Sequence, residues 1–263
     1  MKALHEAKVH TSWVNPNPAY DKAMQQYVAR ILDAQTNQAF LDDFRTLQRR
    51  ISHCGLFTSL SQTLLKLTAP GVPDTYQGTE MWDFSLVDPD NRRPVDYAHR
   101  HRRLQELQER MAAAGDDRTT LVRELLSSKE DGRIKLYVTA LALDCRRTHP
   151  GLFATGDYLP VQASGAKREH VFGFVRCQGD RMALVVVPRL MARLLQNTDA
   201  APLGETVWQD TTLLVPGPRP PRGWRNLFTG APSRCAAEDG QSTLAVAELL
   251  AHFPVALLIA ERS

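Results

Sequence analysis

Apolar residues recur at helical spacing through the first half of the chain and in short extended runs through the second. Asn17-Pro18 reads as an N-cap followed by a first-turn proline. Tyr20, Met24, Tyr27 and Ile31 then share one face of a helix expected to reach about residue 34. Asn37 can cap a second helix, in which Phe40, Phe44, Leu47 and Ile51 recur at spacings of four, three and four. A third is expected over 56–68, with Leu56, Leu60, Leu64 and Leu67 in line, and Pro70-Gly71 stops it. All three stripes are expected to face a core. Residues 1–16 show no periodicity and read as irregular.

Residues 72–76 are short and carry a proline, which fits either a brief strand or a loop. Pro94 reads as the first-turn proline of a helix carrying Tyr97, Leu104, Leu107 and Met111, whose Arg- and His-rich outer face reads as solvated. Two further helices are expected over 117–127 and 132–148, the second with a stripe of Ile134, Tyr137, Val138, Leu141 and Cys145. At His149-Pro150-Gly151 the pattern changes. Short β-like runs follow at 157–161, 170–176, 182–187, 211–215, 224–228 and 254–260, separated by turn residues, which indicates an antiparallel sandwich or barrel. The segment 217–223 (GPRPPRG) reads as a surface connection. The fold class is therefore α+β, with a helix-rich domain over 1–150 and a β-sandwich domain over 151–263.

Composition narrows the class. The chain has 263 residues, 43% hydrophobic and 23% charged, as in ordinary globular proteins. A net charge of +3, with acidic and basic residues mixed, gives no footprint for nucleic acid. No apolar run approaches the ~20 residues of a membrane span, and the start lacks the apolar stretch of a signal peptide. Cys54, Cys145, Cys177 and Cys235 are scattered without CxxC spacing, so free thiols in a reducing cytoplasm are expected. His99 and His101 point to different helix faces, and no metal site is expected.

The densest chemistry lies in residues 64–97, a polar loop between two helices that reads as one wall of a carbohydrate-binding cleft. Tyr76 can stack on a sugar ring or pack beneath the loop, and Gln77 stands beside it. Glu80, Asp88 and Asp90 can accept hydrogen bonds from sugar hydroxyls or pair with the planar forks of Arg92 and Arg93. One Arg–carboxylate pair is expected to shape the loop while one Asp or Asn faces sugar; Asn91 can serve as a turn residue only. Outside the loop, Trp13 is the best stacking candidate, though a lone Trp is more often core. Lys135 could point toward the cleft or be merely solvated.

Pro70-Gly71-Val72-Pro73-Asp74-Thr75-Tyr76-Gln77-Gly78-Thr79-Glu80 is similar to the segment at the eighth barrel strand of the α-amylase superfamily. Together with HTSWVNPN at 10–17, DPDNRRPVDY at 88–97, DGRIKLYVT at 131–139 and FPVALL at 253–258, it resembles the C-terminal part of the maltooligosyl trehalose synthase family. The resemblance implies the helix-rich end of a (β/α)8 barrel and a cofactor-free, cytoplasmic intramolecular transglycosylase. That family isomerises the reducing-end α-1,4 bond of a maltooligosaccharide to α,α-1,1 by a retaining route. Its catalytic carboxylates lie on earlier barrel strands, and only about seventy residues precede the matching segment here. No catalytic residue is therefore carried over, and the chain is expected to be an inactive piece that needs the N-terminal part of the barrel and could self-associate. An amylase-like hydrolase, a sucrose-active transglycosylase and a non-catalytic carbohydrate-binding or interaction module are the alternatives.

Overall fold

The structure, a computed structural model, describes residues 1–86, 90–196, 199–216, 221, 223–238 and 241–261. It divides into two compact units, Met1–Ser52 and His53–Ser263.

The first unit holds α1 (Lys2–Ala7), α2 (Pro18–Ile31) and the start of α3 (Gln38–Thr68). Asn17 caps α2 as its sequence predicts, its Oδ1 accepting the Tyr20 N–H at 3.2 Å ahead of Pro18 at the first helical position. Residues 1–16 are not wholly irregular, since α1 lies within them. His5 Nε2 meets Asp21 Oδ2 at 2.9 Å, and the Trp13 ring stands edge-on to His5 at 4.5 Å.

The expected core stripes of this unit are not core. No residue of α2 is buried, and Phe40, Phe44, Leu47 and Ile51 keep 47, 50, 57 and 61% exposure. An amphipathic face is buried only where another element covers it, and three helices without a sheet leave these faces open. The second and third expected helices are one, α3, running 31 residues through Gly55. Glycine costs only about 1 kcal/mol against alanine in a helix interior, and no proline intervenes.

In the second unit, Leu60, Leu64 and Leu67 of α3 are buried as expected. They join α4 (Tyr97–Ala114), α5 (Thr119–Ser127), α6 (Arg133–Thr148) and α7 (Pro150–Ala154). Pro94 does not open α4. The helix starts at Tyr97, capped by Asp96, whose Oδ1 accepts the His99 N–H at 2.8 Å.

The strands follow as β1 (Asp157–Pro160), β2 (Gln162–Ser164), β3 (Val171–Gln178), β4 (Arg181–Pro188), β5 (Thr212–Leu214), β6 (Gly223–Asn226), β7 (Pro232–Arg234), β8 (Ala236–Glu238), β9 (Gln241–Ala245) and β10 (Ala256–Ala260). Short helices α8 (Met191–Leu194), α9 (Gly204–Trp208) and α10 (Val246–Leu249) interrupt them. One sheet has the order β1-β3-β4-β10-β6-β7 and a second β2-β5-β9-β8, with every pairing antiparallel. Each apolar run read from the sequence has become a strand. The architecture is α+β, helices first and antiparallel sheets after. Residues 72–76 form no strand, so no barrel strand stands at the position that the resemblance implied.

One hydrophobic core extends from Phe57 of α3 through Tyr137 and Val138 of α6 to Val185 of β4 and Leu258 of β10. The passage from helix to strand near residue 155 is therefore not a break in packing. Tyr137 lies among Phe228 and Phe253 and donates its hydroxyl to the Phe228 carbonyl at 2.5 Å. Burial pushes that phenol up to about 12. Arg176 of β3, 1% exposed, donates to the carbonyls of Thr68, Phe153, Gly156 and Asp157 at 2.8–3.3 Å. Arg146 of α6 reaches the Leu67 carbonyl at 2.9 Å and that of Gly71 at 3.2 Å. These two guanidiniums satisfy carbonyls that the last turn of α3 would otherwise leave unpaired. They fix the point from which the polar loop departs.

Candidate functional site

The loop leaves α3 through Pro70-Gly71 and turns at Gly78, whose φ of +87° suits glycine. Thr79 closes that turn, its N–H and hydroxyl both donating to the Tyr76 carbonyl, at 3.1 and 2.7 Å. Arg100 of α4 grips it from one side. Its Nη2 donates to the Gly78 carbonyl at 2.8 Å, its Nε to Glu80 Oε2 at 3.2 Å and its Nη1 to the Asp96 carbonyl at 3.3 Å. One side chain thus ties the turn, a carboxylate and the cap of its own helix.

The other grip lies at the start of α6. Gly132 has φ +83°, and a methyl group there would come within 3.2 Å of Met81 Cβ and the Trp82 nitrogen. The loop lies directly against that glycine. Beside it Trp82 donates its indole N–H to the Lys129 carbonyl at 2.7 Å, and the Lys135 ammonium sits 5.6 Å from the Trp82 ring centroid. Burial, reinforced by repulsion from Lys66, holds the Lys135 ammonium below the usual lysine range, while Asp83 and Glu80 act in the opposite direction. Asp83 is held below the usual carboxylate range by hydrogen bonds from Ser85 and, more weakly, by Lys135 and Arg100. Lys135 is therefore part of the loop's setting rather than a freely solvated helix lysine.

Farther on, a 3-10 turn spans Asp90–Arg92. Asp90 Oδ2 accepts the Leu86 N–H at 2.9 Å, and its Oδ1 pairs with Arg93. The expected Arg–carboxylate pair that shapes the loop is this one. Asn91 has a buried amide oxygen with no hydrogen-bond partner among the described residues. Arg92 is exposed. Tyr76, at 42% exposure, does not pack beneath the loop, and Gln77 beside it is exposed as well. Asp88 lies outside the described residues.

Both carboxylates among the described candidates, Glu80 and Asp90, already face an arginine, so they serve shape before chemistry. The ring of Tyr76 and the amide of Gln77 are exposed, whereas the Asn91 amide oxygen is buried. Trp13 belongs to the first compact unit and, at 61% exposure, is not core. Among the described residues no group of His, Cys, Asp and Glu could hold a metal ion.

No family model matches the chain. Proteins from two strains of Mycobacterium tuberculosis, provisionally named maltooligosyl trehalose synthase, are 37% identical to it over 262 residues, which is 100% of this chain and 28% of theirs. Solved structures of the maltooligosyltrehalose synthase of Arthrobacter ramosus, wild type and a mutant, superpose with a TM-score of 0.74 at 34% identity, over 99% of this chain and 29% of theirs. Over its whole length the chain is similar to one part of these maltooligosyl trehalose synthases. It spans a little over a quarter of the length of those relatives. Within that similar part, the DGR segment at 131–133 acquires a physical reading. Gly132 admits the loop, while Asp131 accepts the Arg133 N–H and its Nε at 2.9 and 2.7 Å. Sequence reading of this segment missed Arg100 and Trp82. Arg100 looked like one more cation on a solvated helix face, and its partner Glu80 lies twenty residues upstream, beyond any local spacing rule.

Proposed function

We propose that this chain is the C-terminal part of a maltooligosyl trehalose synthase and that its 76–93 loop forms one wall of the substrate site. The full enzyme isomerises the reducing-end α-1,4 bond of a maltooligosaccharide to α,α-1,1, leaving a trehalose unit. The reading rests on one observation, the 37% identity that runs through the whole chain. In a retaining reaction a carboxylate holds the glycosyl group while a second carboxyl group moves the proton. Here the released glucose, rather than water, must attack. A wall of fixed hydrogen-bonding groups that positions that glucose and keeps water out is what such a step needs.

In this reading Tyr76 stacks on sugar, Gln77 offers its amide, and the Arg100–Glu80 and Arg93–Asp90 pairs keep the wall in shape. The catalytic carboxylates come from barrel strands outside this chain, whose helices 53–148 form the end of that barrel and whose residues 151–263 form its C-terminal domain. The unpaired thiols of Cys54, Cys145, Cys177 and Cys235 support a cytoplasmic setting. No described helix is long and apolar enough to cross a membrane.

Maltopentaose incubated with the full-length protein should lose reducing ends without releasing glucose. The chain by itself should leave maltopentaose unchanged. Release of glucose or maltose as the main outcome would replace the synthase reading by a hydrolase. Turnover by this chain alone would show that it carries catalytic carboxylates after all.

A further inference from the structure

Three contacts from residues 129–135 converge on one residue of the loop. The Lys129 carbonyl accepts the Trp82 indole N–H at 2.7 Å, Gly132 lets the Trp82 backbone lie against the start of α6, and the Lys135 ammonium sits 5.6 Å from the ring centroid. Edge, backbone and face of the tryptophan are each held. The two carboxylates that attract Lys135 are engaged elsewhere, Glu80 with Arg100 at 3.2 Å and Asp83 with the Ser85 N–H at 2.9 Å. The ring face is therefore what seats the half-buried lysine, and a partly desolvated cation gains more from an indole than a solvated one does. Arg146 lies eleven residues later, three turns along α6 and on the same face, and donates to the Leu67 and Gly71 carbonyls. One face of α6 thus holds the loop at its root and again at Trp82, at points about 16 Å apart along the helix.

We propose that Lys135 is a positioning residue of the candidate site, setting through Trp82 how tightly the loop closes on the sugar that it faces. The inference rests on the synthase reading above. In that reaction the glycosyl group is held as an ester on a carboxylate outside this chain. The bond from that carboxylate to the anomeric carbon breaks as a new oxygen attacks the same carbon. Attack by the 1-hydroxyl of the released glucose gives the α,α-1,1 bond, and attack by water gives a free reducing end. In both, the proton of the attacking oxygen passes to the second carboxyl group. A wall held close favours the sugar, because the retained glucose fills the space that water would need. A loop that has lost its seat on α6 opens that space. Lys135 touches neither the sugar nor the reacting atoms and acts only through Trp82.

Product analysis of the full-length protein on maltopentaose tests it. Lys135→Met should raise the ratio of released glucose to trehalose-ended product about tenfold, with the melting temperature within about 2 °C of wild type. Lys135→Arg should return that ratio to within about threefold of wild type, since a guanidinium also lies on an indole face. In a Trp82→Leu background Lys135→Met should change the ratio no further, as the two side chains act as one unit. An unchanged ratio in Lys135→Met, or fully additive effects in the double variant, would overturn the proposal. Hydrogen exchange in this chain separates that result from a failure of the synthase reading. Peptides spanning 79–86 should exchange about fivefold faster in Lys135→Met and at the wild-type rate in Lys135→Arg. A wild-type protein that makes no trehalose-ended product, together with faster exchange in Lys135→Met, would end the synthase reading and keep the seat on α6. Unchanged exchange would overturn the positioning role whatever the product.

Discussion

Arg100 is a single residue that ties three parts of the candidate site together. It donates to a backbone carbonyl, a carboxylate and a cap, and its planar fork can reach all three because each N–H points in a fixed direction. In the synthase proposed above, Arg100→Met should raise KM about tenfold or more, with folding little changed. Arg100→Lys should recover only part of that, because an ammonium cannot span the same three acceptors. Steady-state kinetics on maltopentaose reads both; a wild-type KM in Arg100→Met would remove the clamp from the account. The contrast with Asp90 and Arg93 shows what sequence can reveal. Those two are three apart on a turn, so their pairing follows from local geometry. Glu80 and Arg100 meet only because α4 folds back over the loop.

At the scale of elements, α5 and α6 are joined through Glu124. Arg110 of α4 grips its carboxylate with two nitrogens, and Arg133 adds a third contact at 3.4 Å. The Arg110 hydrogen bond is the main reason that Glu124 titrates below the ordinary glutamate value of 4.5. A lowered folded-state value means that the contribution is present above 4.5 and is lost as pH falls through the folded value. The carboxylate is partly exposed, so the effect is small. Glu124→Gln should therefore melt slightly below wild type at pH 7, and the gap should shrink as pH falls from 4.5 through the lowered folded value. A gap that persisted in acid would assign it to packing instead.

Arg176 acts on a larger scale of energy. Its removal takes a donor from four carbonyls around the end of α3 and the start of β1, so Arg176→Met should cost about 1–3 kcal/mol in urea denaturation. Element boundaries were legible where a pattern had length. The eight-residue β3 and β4 announce themselves, whereas β2, β7 and β8 have three residues each, too few for alternation to register. The spacing of Phe40 to Ile51 correctly gave a helix. It could not say whether another element covers the stripe, because burial is a property of neighbours and not of period.

For the whole molecule, the decisive fact is that helices and sheets share one core. Leu64, Tyr137, Phe228 and Phe253 belong to the same buried cluster, and the Tyr137 hydroxyl crosses from α6 to the Phe228 carbonyl. A chain cut at residue 155 would expose the helix-facing side of that cluster to water. It should lack a cooperative melting transition, whereas residues 53–263 together should keep one; differential scanning calorimetry of the two pieces decides. The sequence signalled a change of secondary structure near residue 150, and composition alone could not tell that from a domain boundary. The difference lies in residues far apart in the chain, such as Arg118, which donates to the Leu227 carbonyl at 3.0 Å.

The grip at Gly132 has one more consequence. The polypeptide is pinned where Trp82 meets α6 and again where Asp96 caps α4, and both pins are made largely by groups outside the stretch between them. That stretch is a cassette. Exchanges among its exposed residues, such as Phe84 and Leu86, should not disturb the core, provided that the residues at 82 and 96 and the glycine at 132 stay in place. Substitutions in that stretch should therefore leave the melting of the scaffold beneath it nearly unchanged.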